Sequence, residues 1–240
     1  MGGKSHRVKT LLFDLDGTLI RLDMAAFLPR YFQALGKRFS RLVDPQALVR
    51  HVLACTEIMV GNRDAAVTNR EAFMQAFLSR LGLPAAEVLP LLDAFYAEEF
   101  PRLGGPEVAS PAARQAVELA LAAGLEVVVA TNPVFPLQAI RHRLAWGGLD
   151  QYPFRLVTAY EDMHFCKPHV EYYQEILTFL RRRPEECWMI GNDVGEDMVA
   201  GRLGIKTFLV EDFLIPAGGK AVPTRRGRMA DLPAFVAGLV

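Results

Sequence analysis

The stretch LLFDLDGTLI (residues 11–20) decides how this chain is read. It starts as a continuous apolar run, the pattern of a strand buried on both faces, and ends in Asp14 and Asp16, followed by Gly17 and Thr18. Alternate residues of an extended chain point the same way, so the two carboxylates flank one point while Leu15 turns into the core. Gly17 lets the backbone turn away closely, and Thr18 can bond to the turn. Burying two carboxylates without partners is expensive. The pair therefore asks for a cation.

Outward from this strand, residues 105–240 repeat one theme, a helical pattern followed by a short apolar run. SPAARQAVELALAAG opens with Ser110 as N-cap and Pro111 at the first helical position, and stops at Gly124. EVVVAT (126–131), RLVTAY (155–160), CWMIGND (187–193) and KTFLV (206–210) read as strands. FPLQAIRHRLAW, PHVEYYQEILTFLRRR and GEDMVAGRLG read as the helices between them, with a last helix near residues 231–239. Apolar strands alternating with helices predict an α/β fold, a doubly wound parallel sheet covered on both faces. Residues 21–104 differ. Helical patterns such as DPQALVRHVLACTEIMV and NREAFMQAFLSRLG occur there without a strand series. This predicts a core built from residues 1–20 and 105–240, with an all-helical insertion over 21–104. PAGGKAVPTRRGR, near the end, reads as a mobile loop.

Composition narrows the function. The chain has 240 residues, 51% of them hydrophobic, and its 27 basic and 27 acidic residues balance. No global field favours nucleic acid or an acidic membrane. The arginine clusters at 181–183 and at 225, 226 and 228 read as solvated. Three separated cysteines offer neither a disulfide framework nor a zinc site, and suggest a reducing cytoplasm. No signal-peptide core or membrane-spanning run is visible. The GKS at Gly3–Ser5 lacks the upstream glycine of a phosphate loop.

In a parallel α/β sheet the ligand crevice lies beyond the carboxyl ends of the strands. Those ends carry Asp14 and Asp16, then Thr131 and Asn132, then Asn192 and Asp193 with Asp197 just beyond. Lys167-Pro168 follows the third strand. Hard oxygen ligands around a small site favour Mg²⁺. Acids, a metal, a lysine and a hydroxyl together can hold a phosphoryl group. His164 and His169 flank Lys167, but no role follows for them.

DLDGT, Thr131 after VVVA, Lys167 in a Lys-Pro pair, and GNDVGED, in this order, resemble the haloacid dehalogenase superfamily, and the insertion resembles its C1-type helical cap. The resemblance implies an Mg²⁺-dependent phosphatase acting on a small phosphomonoester. Asp14 would be the nucleophile that forms an aspartyl-phosphate, and Asp16 the general acid and then the base. Thr131, Asn132 and Lys167 would bind phosphoryl oxygens. The Asp14 carboxylate, the Asp16 carbonyl and an acid of the fourth motif would hold the metal. That motif commonly begins Gly-Asp, whereas here Asn192 stands between Gly191 and Asp193. Either residue could be the ligand, and Asp193 is preferred, with Asn192 and Asp197 behind it. Carbon–halogen-cleaving members lack the second aspartate, so Asp16 favours phosphoester chemistry. Phosphonate-cleaving members use a cap lysine, and Lys37 is the single lysine between Leu22 and Leu103. A sugar phosphomutase of the β-phosphoglucomutase type shares the same core residues, and a non-catalytic phosphometabolite binder has the same fold. Arg21, Arg50, Asn62, Arg63, Asn69 and Arg70 lie where a cap meets substrate, but none is singled out. No protein, nucleic-acid or membrane partner is expected.

Overall fold

The computed structural model of the chain describes residues 7–216 and 221–240. Its centre is a six-stranded sheet in the order β3-β2-β1-β4-β5-β6, parallel throughout. The strands are β1 (Thr10–Phe13), β2 (Glu126–Val129), β3 (Leu156–Val157), β4 (Cys187–Gly191), β5 (Lys206–Val210) and β6 (Arg225–Gly227). β1 lies between β2 and β4, with Phe13 opposite both Val129 and Ile190. Alternation along the strands builds a core on each face. Leu11, Phe13, Val127, Val129 and Ile190 belong to one cluster, and Leu12, Val128, Cys187 and Met189 to the other. The chain progresses to one side of β1 and then to the other, which defines a doubly wound sheet and puts its switch point at the end of β1.

Five of the strands lie where the apolar runs predict them. The third, Leu156–Val157, is shorter than RLVTAY, and just past it the Thr158 backbone N–H still reaches the Val129 carbonyl at 3.0 Å while its hydroxyl donates to the carbonyls of Val129 and Thr131, at 3.2 and 2.7 Å. GEDMVAGRLG forms a short 3-10 turn, Met198–Leu203, and not a regular helix. The expectation of a loop near the end is corrected in part. Arg225–Gly227 pairs with β5 as an edge strand, and Thr207 and Thr224 exchange side-chain-to-backbone bonds of 3.1 Å beside it. Residues 217–220, the GKS and His6 lie outside the described residues.

Between β1 and β2 the chain is helical: α1 (Met24–Phe39), α2 (Pro45–Gly61), α3 (Asn69–Leu81) and α4 (Ala85–Ala94), then a π-turn and 3-10 turns. Each of the first three starts on a side chain that accepts a backbone N–H: Asp23, Asp44 before Pro45, and Thr68, which forms a capping box with Glu71. α1 buries Phe27, Tyr31, Leu35 and Phe39, one stripe at four-residue spacing. α5 (Pro111–Ala122) is capped by Ser110 as predicted, and α6 (Leu137–Trp146), α7 (Val170–Leu180) and α8 (Leu232–Ala237) complete the layers. Among the described residues no helix is long and apolar enough to cross a membrane. Cys55, Cys166 and Cys187 are buried and unpaired.

Candidate active site

The sheet register sets the ends of β1, β2 and β4 side by side, and the residues just past them line a crevice of about 230 Å³. Asp14, Asp16, Thr131, Asn132, Asn192, Asp193 and Asp197 all line it. Lys167 arrives from the loop before α7. Its Nζ lies 2.9 Å from Asp14 Oδ1 and 2.6 Å from Asp197 Oδ1, and the side chain is 1% exposed. Burial works against the Lys167 charge, but Asp14 and Asp197 outweigh it and hold its pKa well above the ordinary value.

Each predicted residue has a definite place. Asn132 accepts from the Lys167 backbone N–H at 3.2 Å and donates to Glu196 at 3.0 Å, so it fixes the lysine loop. The Thr131 carbonyl accepts from Thr158 and Tyr172, which holds that strand end rigid. Asn192 donates to the Phe213 carbonyl at 2.6 Å and accepts from the Thr18 hydroxyl at 3.2 Å. Thr18 thus bonds across to the fourth motif with its side chain rather than within its own turn. Asp193 Oδ1 accepts from the N–H groups of Gly195 and Glu196, at 2.7 and 2.9 Å. Asp197 joins Lys167 to the Asp193 backbone N–H and caps no helix.

Two glycines make this closeness possible. Gly17 has φ +80, and a Cβ there would lie 2.6 Å from Asn192 Nδ2. At Gly191 a Cβ would lie 2.1 Å from Asp197 Oδ2, so only glycine lets that carboxylate tuck under β4.

Two site residues escape the sequence reading. Arg143, on α6, is 1% exposed and ion-paired through Nη1 to Asp16 Oδ2, with its guanidinium 4.6 Å from the centre of the Phe135 ring. Its Nε and Nη2, and Asp16 Oδ1, have no partner among the described residues. A signal was present. Ala139, Ile140 and Leu144 form the buried stripe of α6, and position 143 falls on that stripe. An arginine at a core position needs an acid or an anionic ligand. Glu196 also lines the crevice, and burial with the nearby carboxylates of Asp197, Asp193 and Asp14 pushes it up to about 8, against the pull of Lys167. Asp16 is raised to about 6 by burial, with Arg143 restraining the rise and Asp14 adding to it.

The flanking histidines have partners of their own. His164 bonds Glu175 at 2.6 Å, and His169 bonds Arg63 and the Val60 carbonyl. Neither faces the crevice. Arg63 also pairs with Glu171, while Asn62 and Asn69 donate to main-chain carbonyls.

A doubly wound α/β fold with a buried lysine bonded to two aspartates and an acid-rich crevice at its switch point defines the class. The profile of haloacid dehalogenase-like hydrolases matches residues 8–204, and the chain belongs to that family. No curated protein sequence matches it. Solved structures share the fold at low identity. The putative HAD-hydrolase YfnB from Bacillus subtilis, bound to magnesium, is 20% identical with a TM-score of 0.58, over 96% of this chain and 99% of that one. CbbY from Rhodobacter sphaeroides, in complex with phosphate, is 19% identical at 0.58, over 94% and 96%. The L-2-haloacid dehalogenase from Xanthobacter autotrophicus is 17% identical at 0.57, over 97% and 100%.

Proposed function

We propose that this hydrolase is a phosphatase that cleaves a small phosphomonoester through an aspartyl-phosphate on Asp14. The observation that carries the reading is the buried Lys167, bonded to both Asp14 and Asp197 at the switch point, with Asp16 alongside. A phosphoryl group placed there meets a nucleophile, a cation and a proton carrier together.

In the first step an Asp14 oxygen attacks phosphorus, the ester P–O bond breaks, and Asp16 gives its proton to the departing oxygen. In the second, Asp16 takes a proton from water as that water attacks phosphorus. The acyl-phosphate bond then breaks, releasing phosphate and restoring Asp14. A group that both gives and takes a proton works best with a pKa near the operating pH, and the burial that raises Asp16 to about 6 supports that role. Lys167 and Thr131 meet the phosphoryl oxygens. Arg143 holds Asp16 through Nη1 and leaves Nε and Nη2 to donate to oxygens of the substrate. Dehalogenases of the family act without a proton donor for an oxygen leaving group, so Asp16 supports the phosphatase over them.

The crevice chemistry fits Mg²⁺. Asp14, Asp16, Asp193, Glu196 and Asp197 face the cations Lys167 and Arg143, an excess of hard oxygen donors over positive charge. Among the described residues no group of three acids, histidines or cysteines is already gathered for a metal. Mg²⁺ usually takes one or two carboxylates and keeps several of its waters. Asp14, the Asp16 carbonyl and Asp193 would hold it. Both ends of the Asn192 amide are engaged, which favours Asp193. When bound, the ion supplies charge that draws the phosphoryl group to Asp14.

The helical segment 21–104 is proposed as a cap, supported by Met24 lining the crevice and by Phe27 packing on Trp146 at 6.0 Å. A cytoplasmic setting is supported by the three unpaired cysteines. The test is phosphate release from an aryl phosphate with Mg²⁺ and with chelator, for wild type and Asp14→Asn. Release that requires both metal and Asp14 supports the reading. Release that persists in Asp14→Asn overturns it.

A further inference from the structure

Against the crevice lies a second cavity, of about 200 Å³, between α1, α2, α3 and the segment after β2. Met24, Val134 and Phe135 line both spaces. Apart from Ile215 they are the crevice's only apolar walls among the described residues, so an ester group leaving the charged end along an apolar surface runs towards this chamber.

We infer that the chamber receives the organic part of the substrate, and that this part is an uncharged, apolar group about the size of a substituted aromatic ring. The inference rests on the phosphomonoesterase reading. Among the described residues no charged side chain lines the chamber, whose walls include Leu28, Phe32, Leu35, Val52 and Phe77. Its few hydroxyls already have partners. Thr56 donates to the Val52 carbonyl at 2.9 Å, the Tyr31 and Tyr96 hydroxyls bond each other at 3.0 Å, and Tyr160 is bonded to Arg70. A sugar or polyol there would bury hydroxyls with almost nothing to receive them, which is costly. An apolar group meets no such penalty. Size agrees as well. An apolar cavity of about 150 Å³ holds benzene, so the chamber has room for a ring with a substituent or a chain of about six carbons.

Phosphate release from n-alkyl phosphates, methyl to octyl, tests this against glycerol 1-phosphate and glucose 6-phosphate. Two variants, Thr56→Phe on α2 and Leu28→Trp on α1, fill the chamber from different helices, and circular dichroism checks their folding. The expected kcat/KM climbs about fourfold per methylene and levels off near six carbons. It exceeds that of the hydroxylated esters, and at least one folded filling variant lowers the hexyl-to-methyl ratio tenfold or more. A flat alkyl series, a preference for the polyol esters, or an unchanged ratio in the folded variants overturns the inference. If no ester is cleaved above the Asp14→Asn background, the phosphatase reading fails by itself. The chamber is then judged by calorimetry with n-hexylphosphonate and methylphosphonate. Tighter binding of the hexyl compound, weakened in a filling variant, keeps the apolar assignment, and equal affinities overturn it.

Discussion

The two ends of the sheet use the same residue types in opposite ways. At the amino ends of β1, β2 and β4, Lys9 pairs with Glu186 at 2.7 Å, and Arg182 pairs with Glu126 at 2.9 Å, where Thr10 also bonds. Glu186 is itself buried, but Lys9 beside it reaches water, and that lysine with the Arg183 backbone N–H keeps the carboxylate in its charged form. At the carboxyl ends, Asp14, Asp16, Lys167, Asp197 and Arg143 are drawn into the protein, and burial pushes the carboxyls of Asp16 and Glu196 upward. One end clasps the strand starts together. The other holds charges at a desolvation cost that folding alone does not explain, and such clusters are where chemistry is done.

The sharpest way to break the contrast is at Asp14. Replacing it with asparagine keeps the volume and removes the nucleophile, so turnover of any phosphomonoester is expected to fall by about 10⁴-fold or more. Lys167 loses one of its two acids but keeps Asp197, so the fold is expected to survive. Single-turnover phosphate release and a thermal melt check the two halves of that statement.

Lys167→Met is expected to damage both function and fold. It leaves Asp14 and Asp197 facing each other without a cation, at a cost of about 3–5 kcal/mol, and lowers kcat by about 10²-fold or more. Chemical denaturation gives the first quantity. Adding Asp197→Asn to Lys167→Met removes one unpaired charge and is expected to recover stability but no activity. Recovery of both would show that the lysine serves packing only.

Arg143→Lys probes the residue that the strand ends did not announce. Lysine keeps the charge but lacks the planar fork that bonds Asp16 and stacks on Phe135. The expected loss in kcat/KM is about 10²-fold, with a smaller loss of stability than Arg143→Ala. Equal activity in Arg143→Lys and wild type would reduce the guanidinium to a counter-charge.

Much of this contrast was legible in the residues. A strand of an α/β sheet announces its carboxyl end when an apolar run stops at polar residues, which is why Asp14, Thr131 and Asn192 fall where expected. Lys167 was legible through its place after the third strand. Arg143 was not, because helices reveal a site residue only as a polar position on a buried stripe, a signal that ordinary amphipathic helices blur. β6 escaped for another reason. Its sequence, RRG, carries no apolar face, and main-chain bonds to β5 hold it at the edge. The apolar chamber was least legible of all, since its walls come from several helices and the segments after β2 and β3, and no local spacing brings them together.

The smallest expected effect lies at the amino end and tests whether it is only a clasp. Lys9, with the Arg183 backbone N–H next in weight, lowers Glu186 from its ordinary 4.5 to about 2. Between those values the unfolded chain binds more protons than the folded one, so stability rises with pH across that window. The contribution is complete above about pH 4.5 and disappears as pH falls towards 2. Glu186→Gln is therefore expected to melt slightly below wild type at pH 6, with the gap closing as both are acidified. Aryl-phosphate turnover at pH 6 should stay the same, because Glu186 sits at the start of β4 and the crevice at its end. A melting gap that persists at pH 2 would mean that the glutamate works by shape or hydrogen bonding rather than by charge. A change in turnover would show that the two ends of the sheet are coupled.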